Sequence, residues 1–165
     1  VYAFQGGSDG SSPNYGLINV GGMLYGTTIS GAASTNCPEG CGTVYKVNPG
    51  TGAESVVYAF KGANGDGSSP EGGLIIVNGI LYGTTVTGPD AACGGPGCGT
   101  VYSVNPDTGA ETIVYSFEGR HQDRGVDPVG SLINVAGSLY GTTEYGPIPS
   151  KSNSYGLGTV FTLEP

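Results

Sequence analysis

Positive charge is scarce in this sequence: five Lys and Arg stand against 13 Asp and Glu, for a formal net charge of -8 over 165 residues. Such a surface repels phosphate backbones and anionic lipid, and no basic cluster is present to release counterions, so neither nucleic acid nor anionic lipid is an expected partner. Tryptophan is absent and histidine occurs once. The missing indole removes the favoured stacking platform for a sugar ring. The single His121 lies beside Arg120 and Asp123 with no Ser or Cys motif to serve as nucleophile, which reads as a solvated loop residue. Carboxylate pairs for glycoside hydrolysis depend on separation in space, and nothing in the spacing selects one. No catalytic constellation is recognisable and no enzyme is expected. No run approaches the roughly 18 to 20 apolar residues of a membrane-spanning helix, and no helical period occurs anywhere.

Glycine is what the chain has in quantity, 33 residues, and it falls in a pattern. LYGTT begins at Leu24, Leu81 and Leu139, each followed by a Gly-rich stretch and then by GTVYKVN, GTVYSVN or GTVFTLE. The period is about 57 residues, the signature of a repeated supersecondary unit. VYAF, VVYAF and VYSF, then a Gly/Ser/Asp/Pro loop, then GLINV, GLIIV or SLINV complete each copy.

The second copy shows four strand signals. Gly73 to Val77 (strand A) and Ile80 to Thr85 (B) flank Asn78-Gly79, a two-residue hairpin turn. Gly99 to Asn105 (C) and Thr112 to Phe117 (D) flank a turn at Pro106 to Glu111. The runs are apolar on both faces, which suits a sheet covered on each side by another sheet. Gly26, Gly83 and Gly141 fall mid-strand, where a bulge or a close backbone approach is expected. The fold class is therefore all-β and propeller-like, with three four-stranded antiparallel blades; a β-trefoil or β-prism with pseudo-threefold symmetry is the alternative. The chain reads as one repeat domain, residues 1–165, with repeats at approximately 5–60, 61–117, and 118–165 completed by 1–4. Three blades fall below the four to eight of ordinary propellers, so either two or three chains complete one ring, the self-association expected here, or the chain belongs to a longer array. Val1 lies inside a repeat and carries no leader pattern, so localisation must be read from other features.

Meander topology gathers the B-to-C and D-to-A loops, the long ones, on one face, where binding residues usually sit. The D-to-A loops carry Asp9, Asp66, and Asp123 with Asp127. Asn64-Gly65-Asp66-Gly67 has oxygens spaced as in a calcium loop, but too few at alternate positions, and a plain Asp-Gly turn is the better account; no cofactor is expected, with calcium the one possibility to test. The B-to-C loops hold all four cysteines, Cys37 with Cys41 and Cys93 with Cys98, each pair just before GTVY. Matched local spacing in an even count points to two loop-stapling disulfides and an oxidising compartment, over a four-Cys zinc site. Thr27-Thr28, Thr84-Thr85 and Thr142-Thr143 end strand B, where bonding to the loop backbone is their common use.

Taken together, LYGTT, the Gly-rich loop, GTVY or GTVF, the V-x-x-F-like strand and the DG-x-x-P loop resemble the GloVer-type tandem repeat family of bacterial secreted and surface proteins. The resemblance covers all three copies. It implies an exported array of propeller-like repeats, extracellular or at the cell surface, and implies no activity or catalytic residues. The functional expectation is a non-catalytic binding module, with carbohydrate as the ligand class. Tyr15, Tyr145 and Tyr155 would stack on a sugar ring, and Asp9, Asp66 and Asp127 would accept its hydroxyls. The alternative is a self-assembling surface protein that forms a multi-chain ring or filament through open strand edges.

Overall fold

A computed structural model describes residues 1–62, 65–89, 97–118, 125–146 and 157–165. Among these residues the regular structure is all β. The first sheet runs in the order β1 (Ile18–Val20), β2 (Met23–Thr28), β3 (Thr43–Val47), β4 (Glu54–Ala59). The second repeats it as β5 (Ile75–Val77), β6 (Ile80–Thr85), β7 (Thr100–Val104), β8 (Glu111–Ser116). The third contains β9 (Val126–Val135), β10 (Ser138–Tyr145) and β11 (Thr159–Leu163). All pairings are antiparallel between neighbours in sequence, so each sheet is a meander of the kind that forms a propeller blade.

Local chemistry sets the turns. Asn78 and Gly79 both take positive φ, 50° and 82°, which gives the hairpin the backbone twist that matches its strands. In the C-to-D turns the side chain does the work. Asn48 Oδ1 accepts from the Gly50 and Thr51 amides at 2.9 and 3.1 Å, and Asn105 Oδ1 does the same for Asp107 and Thr108. The mid-strand glycine has a steric reason. Gly83 pairs with Tyr102 across β6 and β7, and a Cβ on Gly83 would overlap the Tyr102 ring lying over it. Tyr45 over Gly26 and Phe161 over Gly141 repeat the arrangement. The expected close approach is therefore an aromatic side chain of strand C laid across strand B.

The blades stack through a joint that recurs. Phe60, just past β4, meets Tyr102 of the second blade edge-on, ring centroids 4.9 Å apart, and Phe117, just past β8, meets Phe161 of the third at 5.2 Å. Thr27 donates its hydroxyl to the Gly72 carbonyl at 3.2 Å, and Thr84 to that of Gly130 at 3.3 Å. Leu74 and Leu132, both buried, enter the apolar clusters formed between successive blades. Those clusters are the core. Strands apolar on both faces are the result, since each blade is covered by its neighbour.

Among the described residues the third sheet has three strands, and residues 1–4 lie in no strand and are held at the other end of the stack, where Phe4 meets Tyr45 edge-on at 4.8 Å. That contact is the same joint again, so residues 1–4 stand before the first blade as the end of β4 stands before the second. The third strand A also begins earlier than expected, at Val126, because Val126 and Pro128 pair with Tyr145 and Thr143. In the first two copies the corresponding positions make only the isolated bridges Ser11 to Ser30 and Ser68 to Thr87.

Candidate functional site

The cysteine-bearing and aspartate-bearing loops share one end of the stack and touch. The Ser69 amide donates to the Cys41 carbonyl at 2.9 Å, Asp127 N–H to that of Cys98 at 3.1 Å, and Asn36 Nδ2 to that of Lys61 at 3.1 Å. Cys37 and Cys41 form a disulfide, and Cys98 is disulfide-bonded as well. Cys93 lies outside the described residues, as do Tyr155, His121 and Asp123.

Most of the expected binding groups at this end are committed to holding it together. Asp66 is buried and accepts from the Tyr58 hydroxyl at 2.9 Å and from the Lys61 and Gly67 amides at 2.7 Å each, so both carboxylate oxygens are used. Asp9 repeats this on Tyr2 at 2.8 Å and the Gln5 amide at 2.7 Å. The Gln5 amide leads the interactions that hold the Asp9 carboxyl below its ordinary value, and the hydrogen bond to Asp9, ahead of desolvation and the Asp9 charge, pushes the Tyr2 phenol up to about 12. The next blade adds a glutamate to each pair. Glu111 sits against Tyr58 and Asp66, and burial first, then the Asp66 charge, raises its carboxyl to about 7. Its Oε1 is buried without a hydrogen-bond partner, as is Oε1 of Glu54 at the Tyr2 position. Among the described residues no group of three His, Cys, Asp or Glu could hold a metal ion.

The threonines are likewise internal. Thr28 shares its hydroxyl with Thr43 at 2.8 Å, Thr85 with Thr100 at 2.7 Å and Thr143 with Thr159 at 2.7 Å, tying strand B to strand C where the long loop leaves.

Two of the expected residues remain beside uncommitted carboxylates. Burial and then Glu71 raise the Tyr15 phenol, and burial, Glu144 and Glu71 raise the Asp127 carboxyl, so Glu71 acts on both. Neither Asp127 nor Tyr145 is a loop residue: Asp127 lies in β9 and Tyr145 ends β10, because the β9 ladder runs on into the loop region. Asp127, with φ 55°, occupies the position of Ser12 and Ser69, with φ 58° and 54°, and is not the counterpart of Asp66. Counting back from Gly125, that counterpart in the sequence is Arg124.

A second surface escaped the sequence reading. On the outer face of the third blade a cleft of about 230 Å³ is lined by Ser131, Ile133, Tyr140, Gly141, Thr142 and Val160. Another, of about 420 Å³, runs between Val114 and Tyr115 of β8 and the stretch Thr162, Leu163, Glu164. The signal for it was in the repeats: Ile133, Tyr140 and Val160 have counterparts in the other two copies that are buried or packed on their cores, Ile18 and Ile75, Tyr25 and Tyr82, and Val44 and Val101.

With the blades, their joints and the loop end described, the class is a repeat protein of propeller type. The family model of the Gloeobacter/Verrucomicrobia repeat matches residues 31–165, and the chain belongs to that family. No curated protein matches it. Among solved structures it is similar to TolB from Acinetobacter baumannii (13% identity, TM-score 0.46, covering 87% of this chain and 27% of that one). It is also similar to the N-terminal domain of Nup159 (9%, 0.43, covering 91% and 34%) and to a putative 6-phosphogluconolactonase from Bacteroides fragilis NCTC 9343 (16%, 0.43, covering 86% and 35%). The chain thus spans about a third or less of the length of these structures.

Proposed function

We propose that this chain is a non-catalytic extracellular scaffold, a set of interchangeable blades that self-assembles through its end faces and displays its long loops on one pole. The observation that carries the reading is the recurrence of one joint, Phe60 on Tyr102 and Phe117 on Phe161, with Phe4 on Tyr45 repeating it. The Cys37–Cys41 disulfide supports an oxidising, extracellular setting. Light scattering together with electron microscopy tests it: rings or filaments are expected, and an inert monomer at all concentrations sinks the scaffold reading.

A second reading keeps the loop pole as a carbohydrate site. Its support is the convergence of Tyr15 and Asp127 on Glu71, a phenol and hydroxyl acceptors around one position. Glycan-array screening with and without calcium is the direct measurement, and no binder in either condition removes this reading while leaving the scaffold intact.

A further inference from the structure

Between the first two blades, two carboxyl groups meet over one hydroxyl. The turn before Glu111 rests directly on β4: a Cβ on Gly109 would lie 2.6 Å from the Val57 carbonyl oxygen. Glu111, the first residue of β8, thereby lies against Tyr58 of β4 and Asp66 of the loop that follows it. The Tyr58 hydroxyl has one proton to give, and it goes to Asp66 Oδ2 at 2.9 Å. That oxygen also accepts from the Lys61 amide, and Oδ1 from the Gly67 amide, both at 2.7 Å, so Asp66 sets the shape of its loop. Glu111 Oε1 is buried and, among the described residues, has no donor.

A buried carboxylate oxygen without a donor is costly while the group is charged. Protonated, Glu111 is neutral and gains a donor, and the Tyr58 oxygen, which keeps its lone pairs, is the acceptor beside it. Each oxygen then hands one proton to the next, from Glu111 through Tyr58 to Asp66. Ionised, Glu111 and Asp66 are like charges competing for the single Tyr58 proton. The other groups that face Glu111 give little relief. Lys61 attracts it from the loop but is exposed, with its ammonium 5.9 Å from the Tyr58 ring centroid. Tyr102 of β7 is fully buried and, among the described residues, its hydroxyl has no partner.

We infer that Glu111, Tyr58 and Asp66 form a proton-operated latch between blades: a neutral Glu111 ties the second blade to the loop after β4, and its ionisation releases that tie and loosens the loop. The direction of titration agrees. Burial first, then the Asp66 charge, raises the Glu111 carboxyl to about 7. Burial, then the hydrogen bond to Asp66, raises the Tyr58 phenol, which therefore keeps its proton throughout. The latch is closed below about 7 and opens above it, the proton passing to solvent. The loop it governs is bonded to its neighbours, Ser69 to the Cys41 carbonyl and the Lys61 carbonyl to Asn36, so opening is felt at the long-loop pole. Tyr2, Asp9 and Glu54 repeat the arrangement, again with a buried, unpartnered Oε1 on the glutamate. The third copy places Arg124 at the Asp66 position of the sequence.

Nuclear magnetic resonance of the intact chain across about pH 4 to 9 reads both halves of the latch. The Glu111 carboxyl carbon is expected to titrate at about 7, and the Lys61 and Gly67 amide resonances to move with the same midpoint. Glu111→Gln abolishes that amide transition. Tyr58→Phe keeps the ring and its edge contact with Phe60 but removes the relay, so the two amides lose most of their response. A Glu111 midpoint near the ordinary 4.5 overturns the inference, as does a Glu111 transition near 7 that the two amides ignore. An undiminished amide response in Tyr58→Phe overturns the hydroxyl as the link.

Discussion

Truncating Phe60 to Ala asks whether the joints between blades hold this fold. The ring is 1% exposed, meets Tyr58 at 5.2 Å and Tyr102 at 4.9 Å, and belongs to the cluster that includes Val44, Leu74 and Leu81. The backbone bond from its amide to the Gly42 carbonyl survives the change, so the loss is confined to the side chain. Removing a buried phenylalanine costs about 3–5 kcal/mol, the deleted transfer energy plus the cavity left behind. Against a total stability of about 5–15 kcal/mol this is a large fraction. A domain of this size loses roughly 2–4 °C of Tm per kcal/mol, so a fall of about 6–20 °C is expected. Phe4→Ala is the control: its ring is half-buried, and the corresponding loss within one copy is about 1–2 kcal/mol. Urea unfolding followed by circular dichroism compares the two at low protein concentration. Equal costs for Phe60 and Phe4, or a Phe60 cost under about 1 kcal/mol, would refute the claim that the inter-blade ring contacts carry the stack.

Glu111→Gln removes a pH dependence. The folded carboxyl titrates near 7 and the unfolded one near 4.5, so the folded state holds its proton more tightly; this contribution to stability is full below about 4.5 and lost as pH rises through about 7. Melting at pH 5 and pH 8 is expected to show a larger drop for the parent chain than for the variant, and parallel slopes would exclude the assignment. Gly83→Ala places a methyl group into the Tyr102 ring, with an expected cost of about 1–3 kcal/mol; a thermal melt unchanged from the parent would show that the ring moves aside freely. Replacing Cys37 and Cys41 by Ser opens a ring four residues in span and is expected to cost only about 2 kcal/mol. Collapse of the whole fold in that variant would contradict a loop-stapling role.

Strands and their order were legible because each blade writes the same apolar runs and turn residues in sequence. Asn78-Gly79 fixes a hairpin by local chemistry alone, and β6 and β7 start within a residue of where the pattern puts them. The committed role of Asp66 was not legible, because a carboxylate in a Gly-rich loop looks free until its Tyr58 partner, eight residues back, is folded beside it. A signal existed: Tyr2 and Asp9 lie seven residues apart in the first copy, so tyrosine and aspartate recur together. Glu111 carried no such signal, since its partners come from the preceding blade. Asp127 was misassigned by composition. Alignment through Gly125 and Pro128 puts it on a serine position, where left-handed backbone geometry suits a short polar side chain.

The third copy explains why its loops differ. Each B-to-C loop has to be anchored over the end of its blade beside the D-to-A loop. The first copy does so with the Cys37–Cys41 bond and a single bridge from Ser11 to Ser30, and the second has a bonded Cys98 and the bridge from Ser68 to Thr87. In the third, the sequence has no cysteine, and Val126 and Tyr145 replace the bridging pair. An apolar residue opposite an aromatic one is a favourable cross-strand pair, worth about 0.2–1 kcal/mol through packing, whereas Ser68 and Thr87 of the second copy meet through a hydroxyl hydrogen bond. The pair extends β9 and β10 into the loop region, and Val126 and Tyr145 join the apolar cluster of Leu132 and Phe161. The third blade thus holds its loop region with a longer strand pair where the first has a covalent tether.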